Sequence, residues 1–214
     1  MSFDFLISHL KERLKYPLPG ALAHEPMRAT PVDGSKLDFK HKLPPRPGSV
    51  LILLYEENGV LKFPLIKRPV YSGAHSGQIS LPGGKAEEGE DSILTALREG
   101  EEEIGINKAH VEVLGSLSEF FVIPSNFIVT PVIGIVRYTP VFVPDSFEVE
   151  RILNADVSDL LRDSSIMQKE ILAAGKYAMM APHFVIENEI VWGATAMMLN
   201  EFRYVLMEIE KQER

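Results

Sequence analysis

The 214-residue chain contains no cysteine. That absence excludes disulfide bonds, thiolate metal sites and cysteine nucleophiles, and it is compatible with the cytoplasm, where we expect the protein to act. The chain also lacks an apolar stretch of about 18 residues, so no transmembrane helix is expected. Its first residues have no basic segment before an apolar core and no small-residue cleavage site, which is not typical of a secretory signal.

An excess of positive charge is also missing, since the formal net charge is −8. General nucleic-acid binding needs basic patches and is therefore not expected. Much of the negative charge is local: residues 84–106 hold eight acidic and two basic side chains, a net charge of −6. Such a segment fits a site that binds an anionic substrate through metal ions.

Strand and helix patterns alternate along the chain. The apolar runs 49–55 and 60–67, joined by an Asn-Gly turn, predict a β-hairpin. Further strands are predicted at 111–122, 127–138, 184–187 and 190–192, helices at 3–14, 164–173 and 193–210, and a strand followed by a helix within 149–161. This alternation indicates an α/β fold with a mixed sheet between helices.

The region before the first hairpin holds seven prolines between residues 16 and 48. We predict that residues 1–48 form a helix and a proline-rich arm packed on the domain or on a second subunit; a disordered linker is the alternative. Residues 49–214 are predicted to form one catalytic domain. The arm and the apolar hairpins favour a homodimer.

Residues 84–106 carry the most specific pattern in the sequence. Glu99, Glu102 and Glu103 are spaced i, i+3 and i+4, which places three carboxylates on one helix face. Such a face repels itself unless a cation binds to it, and an all-oxygen site suits Mg²⁺ or Mn²⁺. Asp91 is a candidate N-cap, and Gly105 has the position of a C-terminal glycine. A solvated acidic helix is the alternative.

The same segment resembles the Nudix box, G-x5-E-x7-R-E-U-x-E-E-x-G-U, in which U is a bulky apolar residue. The matching residues are Gly84, Glu90, Arg98, Glu99, Glu102, Glu103, Gly105 and Ile106. Gly100 departs from the pattern, because the family usually has an apolar side chain there. A glycine costs about 1 kcal/mol in a helix interior, and it is compatible with a close backbone approach. The resemblance implies an α/β/α sandwich with a catalytic loop–helix–loop.

Flanking segments are similar to the coenzyme A diphosphatase branch of that family. Upstream, the branch motif is matched by Leu65, Arg68, Gly77, Pro82, Gly83 and Gly84. Gly73 replaces its second arginine, which weakens the substrate assignment because a guanidinium is a natural partner of phosphate. Lys67 or His75 could take its place. Downstream, residues 192–196 are similar to a W-G-x-T-A segment near the end of the same branch.

The resemblance implies roles for individual residues. Glu99, Glu102 and Glu103 would bind the cations with help from a Gly83 or Gly84 carbonyl. Arg98 would pair with Glu90 and hold the helix against the loop. The candidate substrate-binding residues are Arg68, Lys67, His75 and Gln78. The carboxylate that deprotonates the attacking water is left open between Glu102, Glu103, Glu119 and Glu148.

Three functions follow from this resemblance. The first is metal-dependent hydrolysis of coenzyme A, or its acyl derivatives, to 3′,5′-ADP and 4′-phosphopantetheine. The second is hydrolysis of another nucleoside diphosphate derivative, such as ADP-ribose, a dinucleoside polyphosphate or an oxidised nucleotide. The third is a catalytically silent ligand-binding module. The complete set of carboxylates favours an enzyme.

Overall fold

A computed structural model describes residues 2–35, 39–70, 76–173 and 175–213 of the chain. Its elements are the helices α1 (Phe3–Arg13), α2 (Ala21–His24), α3 (Ser92–Ile104), α4 (Val157–Leu161) and α5 (Gly193–Glu213) and the strands β1 (Thr30–Pro31), β2 (Arg46–Glu57), β3 (Val60–Lys67), β4 (Ile79–Ser80), β5 (Gly83–Lys85), β6 (Glu112–Ser116), β7 (Phe120–Val122), β8 (Phe127–Ile135), β9 (Arg151–Asp156), β10 (Met167–Ala173), β11 (Tyr177–Ile186) and β12 (Glu189–Trp192). The predicted α/β class is therefore confirmed.

Strand β2 is the central strand of a mixed eight-stranded sheet. It runs parallel to β8 and antiparallel to β3 and β5. The sheet follows the order β4-β3-β2-β8-β6, with β5 on β2, β7 on β8 and β9 on β3. The continuous apolar run of β2 is explained by this position, because a central strand buries both of its faces.

The two faces of β2 pack against different helices. Ile52 and Leu54 belong to a core shared with α1, α4 and α5. Leu51 and Leu53 belong to a second core, which contains Ala96 and Ile104 of α3. Helices therefore cover both sides of the sheet, as the predicted sandwich requires. Because side chains alternate along a strand, the odd-numbered residues of β2 face α3.

The N-terminal segment packs on the rest of the chain. Helix α1 contributes Leu6, Ile7 and Leu10 to the larger core, and β1 pairs with β11. His24 Nε2 lies 2.9 Å from Glu201 Oε2. Burial disfavours the charged form of Glu201, yet hydrogen bonds from His24, Ser118 and Gly20 hold its pKa below its ordinary value. Within the described part of residues 1–48, α1, α2 and β1 therefore contact the rest of the chain.

A second sheet, formed by β1, β10, β11 and β12, contains a secondary-structure prediction that was wrong. Residues 164–173 were predicted to be helical, but Met167–Ala173 form β10, which pairs over its whole length with β11. The segment MQKEILA is rich in good helix formers, so intrinsic preference favoured a helix. Pairing with β11 overrides that preference. The predicted strand and helix of residues 149–161 are confirmed as β9 and α4.

Candidate active site

Helix α3 begins and ends at the residues that its sequence indicates. Asp91 Oδ1 accepts a hydrogen bond from Leu94 N at 2.8 Å and so caps the first turn. Gly105 follows the last turn with φ of +70°, a left-handed conformation that favours glycine. The start of the helix is therefore fixed directly after the loop that contains β5.

Arg98 ties this helix to that loop. Its Nε donates to Glu90 Oε1 at 2.8 Å and its Nη2 to Lys85 O at 3.0 Å. The ion pair expected between Arg98 and Glu90 is thus present. The Arg98 guanidinium, helped by the Glu87 backbone amide, lowers the pKa of Glu90 to about 2. Glu90 is consequently ionised at any pH near neutrality.

Glu103 is the most deeply buried carboxylate of the motif, with 1% of its surface exposed. Its Oε2 accepts from Gly83 N at 2.7 Å. Its Oε1 has no hydrogen-bond partner within the described residues, although Arg68 Nη2 lies 3.5 Å away. Burial raises the pKa of Glu103 to about 7, while the Arg68 charge and the Gly83 amide oppose that rise. The carboxylate therefore keeps one buried oxygen available for a ligand.

Glu99 lies against the glycine loop. A Cβ atom on Gly84 would come within 2.4 Å of Glu99 Oε1, so only glycine leaves room for this carboxylate. Burial raises the pKa of Glu99, and the neighbouring Arg98 opposes the rise. Gly84 and Glu99 are therefore direct neighbours, as a shared metal site would require.

Glu102 completes the trio at the surface, with 59% of its side chain exposed. Arg98 Nη1 donates to Glu99 Oε1 at 2.9 Å and to Glu102 Oε2 at 2.8 Å. Over the ranges that the structure describes, no three acidic or imidazole side chains already converge as a metal cage. The Arg98 guanidinium is the positive group that bridges two of the three carboxylates.

These residues nevertheless fit a hard divalent cation. The donor set consists of carboxylate oxygens, which suit Mg²⁺ and Mn²⁺. The unpaired Oε1 of Glu103 is a buried acceptor, and such an atom is costly to leave without a partner. Both ions are compatible with an all-oxygen site.

The predicted substrate-binding residues occupy different places. Arg68 donates from Nη2 to Gly83 O at 3.2 Å and reaches Glu103, so it lies at the site. Lys67 instead forms ion pairs with Glu189 at 3.2 Å and Glu150 at 3.3 Å. Gln78 O accepts from Arg68 N at 3.0 Å. His75 and Gly73 lie outside the described residues.

The two candidate bases from outside the motif also differ in placement. Glu148 is close enough for its charge to raise the pKa values of both Glu99 and Glu103. Glu119 is exposed and precedes β7. The structure therefore brings Glu148 to the carboxylate cluster.

Asp145 was not singled out in the sequence, yet it positions Glu148. Its backbone N donates to Glu103 O at 3.1 Å, and its Oδ1 accepts from Glu148 N at 3.0 Å. The Pro-Asp-Ser sequence at residues 144–146 is a turn signal of the kind in which an aspartate bonds to a following amide. That signal could have identified the turn, but not its contact with α3.

The departure at Gly100 has a steric explanation. A Cβ atom at this position would lie 2.8 Å from Leu51 Cδ2 and 3.3 Å from Ile106 Cδ1. Helix α3 therefore approaches β2 closely where Gly100 faces Leu51. A bulky apolar side chain at this position would require the helix or its neighbours to move.

Comparison with known proteins identifies the family. The family model of the NUDIX domain matches residues 45–174, more than half of the chain. The chain belongs to the Nudix family. Nudix hydrolase 15, mitochondrial, from Arabidopsis thaliana is 38% identical over 161 residues, which are 71% of this chain and 55% of that protein. Nudix hydrolase 3 from Caenorhabditis elegans is 30% identical over 168 residues, 72% of this chain and 70% of that protein.

A solved structure supports the fold. The Nudix hydrolase RenU from M. smegmatis matches with a TM-score of 0.53 and 14% identity, over 87% of this chain and 95% of that chain. At this identity the similarity shows the fold alone. The present Nudix chain spans about half the length of its Arabidopsis relative, 55%. Among the helices described, none is both long enough and apolar enough to cross a membrane.

Proposed function

We propose that this Nudix protein is a metal-dependent hydrolase that cleaves the diphosphate linkage of coenzyme A or its derivatives to 3′,5′-ADP and (acyl-)4′-phosphopantetheine. The observation that carries the proposal is the Glu103 carboxylate. It is buried and held by the Gly83 amide, and one of its oxygens has no hydrogen-bond partner in the described chain. Together, the carboxylates of Glu103 and of Glu99, which lies beside Gly84, offer oxygen ligands for a cation.

The residues divide the chemical work. Glu99, Glu102 and Glu103 would hold Mg²⁺ or Mn²⁺, which neutralises a diphosphate and acidifies water. Arg98 and Glu90 hold α3 on the loop, so the carboxylates keep their positions relative to Gly83 and Gly84. Glu148 and Glu103 are the carboxylates best placed to accept the water proton. Because Glu103 is itself a proposed cation ligand, Glu148 is the candidate base outside the ligand set.

The substrate assignment rests on Arg68 and on the similarity of residues 65–84 and 192–196 to the coenzyme A branch. A guanidinium at the edge of an anionic metal site can donate two parallel hydrogen bonds to the oxygens of one phosphate. The alternative substrate is another nucleoside diphosphate derivative, because Gly73 stands where the branch has its second arginine. The complete set of carboxylates, Glu99, Glu102 and Glu103, disfavours a catalytically silent module.

A substrate panel tests the proposal directly. Purified protein with Mg²⁺ or Mn²⁺ is incubated with coenzyme A, acetyl-coenzyme A, ADP-ribose and a dinucleoside polyphosphate, and the products are separated by chromatography. We expect 3′,5′-ADP and 4′-phosphopantetheine from coenzyme A. Cleavage of ADP-ribose alone would replace coenzyme A by the alternative substrate. Metal binding without cleavage of any compound would support the silent module.

Replacement of Glu102 by glutamine is expected to reduce turnover by about two orders of magnitude or more, as loss of a group that acts on the reacting atoms does. The fold should be retained, because the Glu102 side chain is mostly exposed. Steady-state kinetics together with a thermal unfolding curve measure both effects. Near-normal turnover would remove Glu102 from the metal site.

Replacement of Arg68 by alanine is expected to raise KM for a phosphate-rich substrate by about tenfold, the typical loss of a charge-assisted hydrogen bond. Arg68 also opposes the rise in the pKa of Glu103, so the acidic limb of the pH–rate profile should move to higher pH. Lys67→Ala is the matched control, since it removes the same charge from the next residue. A larger KM effect for Lys67→Ala would make Lys67 the phosphate contact instead.

Two further properties remain predictions. We propose a homodimer, which sedimentation velocity at micromolar concentration would test. We also propose a cytoplasmic location, which subcellular fractionation would test. The name of the Arabidopsis relative describes that protein as mitochondrial.

A further inference from the structure

Ser49 carries a buried hydroxyl group next to the carboxylate cluster. The residue is 1% exposed, and its Oγ has no hydrogen-bond partner within the described residues. Buried polar side chains in native proteins are normally hydrogen-bonded, and an unpaired one costs stability. An unpaired serine hydroxyl at the edge of an active site therefore suggests a hydrogen bond that forms only when the site is loaded.

The register of the sheet places this hydroxyl beside Glu99. Ser49 on β2 is directly opposite Gly84 on β5. Opposite residues in antiparallel strands project to the same face, with their Cβ atoms about 5 Å apart. A Cβ atom on Gly84 would point at the Glu99 carboxylate, and it would lie 2.4 Å from Oε1 and 2.7 Å from Oε2. Ser49 is odd-numbered and faces α3 like Leu51. The Ser49 hydroxyl and the Glu99 carboxylate are thus neighbours on one face.

A hydroxyl group differs from Arg98 in its effect on Glu99. Arg98 Nη1 donates to Glu99 Oε1 at 2.9 Å, but its positive charge competes with a cation for the same carboxylate. A serine hydroxyl donates a hydrogen bond without neutralising the charge, and a carboxylate can accept several hydrogen bonds. A neutral donor can therefore orient Glu99 while leaving its charge available for a metal ion.

We propose that Ser49 is a positioning residue that donates a hydrogen bond to the Glu99 carboxylate when a divalent cation is bound. This inference rests on the metal site of the proposed function. Groups that hydrogen-bond a metal ligand commonly change metal affinity by about 10- to 100-fold. Ser49 would contribute to cation affinity through Glu99, without contact to the substrate.

The test compares Ser49→Ala with the wild-type protein in Mn²⁺ binding, followed by electron paramagnetic resonance in the absence of substrate. We expect a dissociation constant about tenfold higher for Ser49→Ala. The melting temperature without metal should be unchanged or higher, because the variant removes a hydroxyl that has no partner. Ser116→Ala is the matched control: Ser116 lies opposite Val132 on the same face of the sheet, away from Gly84, and its affinity should match the wild type.

Each other outcome overturns the proposal. Equal Mn²⁺ affinity in Ser49→Ala and the wild type would show that the hydroxyl does not act on Glu99. Weaker binding accompanied by a lower melting temperature, or an equal loss in Ser116→Ala, would indicate a general loosening of the sheet. If the wild-type protein itself binds no Mn²⁺, the proposed metal site fails and this inference fails with it. That failure is recognisable because it appears without any mutation.

Discussion

Replacing Glu103 by glutamine is expected to reduce turnover by about a thousandfold, within the range attributed to a positioned acid or base. The same loss is expected if Glu103 acts mainly as a cation ligand, because glutamine is neutral. The amide of glutamine has nearly the same shape, and its oxygen can still accept the hydrogen bond from Gly83 N that Glu103 Oε2 accepts at 2.7 Å. The loop should therefore remain in place while the negative charge is lost.

The same substitution should stabilise the metal-free protein at alkaline pH. The pKa of Glu103 is raised from 4.5 to about 7 in the folded protein. The folded state thus binds the proton more tightly than the unfolded state, so the free energy of unfolding falls as pH rises from about 4.5 to 7. A difference of about 2.5 pKa units corresponds to roughly 3 kcal/mol. Glutamine does not titrate, so the variant avoids this loss.

Thermal unfolding in the presence of a chelator measures this effect. At pH 8 the Glu103→Gln protein should melt about 5–10 °C above the wild type, and near pH 4.5 the difference should vanish. Glu101→Gln is a control on the same helix, because Glu101 is ion-paired with Lys108 at 2.7 Å outside the cluster. A melting temperature below that of the wild type for Glu103→Gln at pH 8 would mean that Glu103 forms a stabilising ion pair with Arg68.

Replacing Gly84 by alanine is the second change with a large expected effect. The backbone of Gly84 does not have a positive φ, so alanine is allowed by local conformation. The added Cβ would nevertheless lie 2.4–2.7 Å from the Glu99 carboxylate, which must move away. Displacement of an active-site group by about 1 Å can cost 100-fold in rate. We therefore expect a loss of that order together with weaker Mn²⁺ binding.

Gly100→Ala is the matched control for this steric argument. Its new methyl group would meet the apolar side chains of Leu51 and Ile106 and no carboxylate. The two variants should therefore differ in the property that changes. Gly84→Ala should lose activity and metal affinity with a nearly unchanged melting temperature. Gly100→Ala should change in stability and keep its metal affinity. Normal Mn²⁺ binding by Gly84→Ala would show that the Glu99 position next to the loop is not needed.

The limits of the sequence are clearest at β10 and at Gly100. The segment MQKEILA has a helical composition, and only its partner strand β11 makes it extended. The glycine at position 100 is compatible with a close approach by the sequence alone, but only the structure shows that the residue approached is Leu51. Both features depend on residues distant in the chain, which local preference does not describe.

The sequence by itself determined the family, the α/β class, the caps of α3 and the carboxylate spacing, because periodicity and turn chemistry are local properties. Only the tertiary structure decided which carboxylates are buried, which carboxylates Arg68 and Lys67 contact, and that Ser49 lies opposite Gly84. Burial and strand register arise when distant segments pack together. They set the charge state of Glu103 and the surroundings of Glu99, which no spacing along the chain encodes.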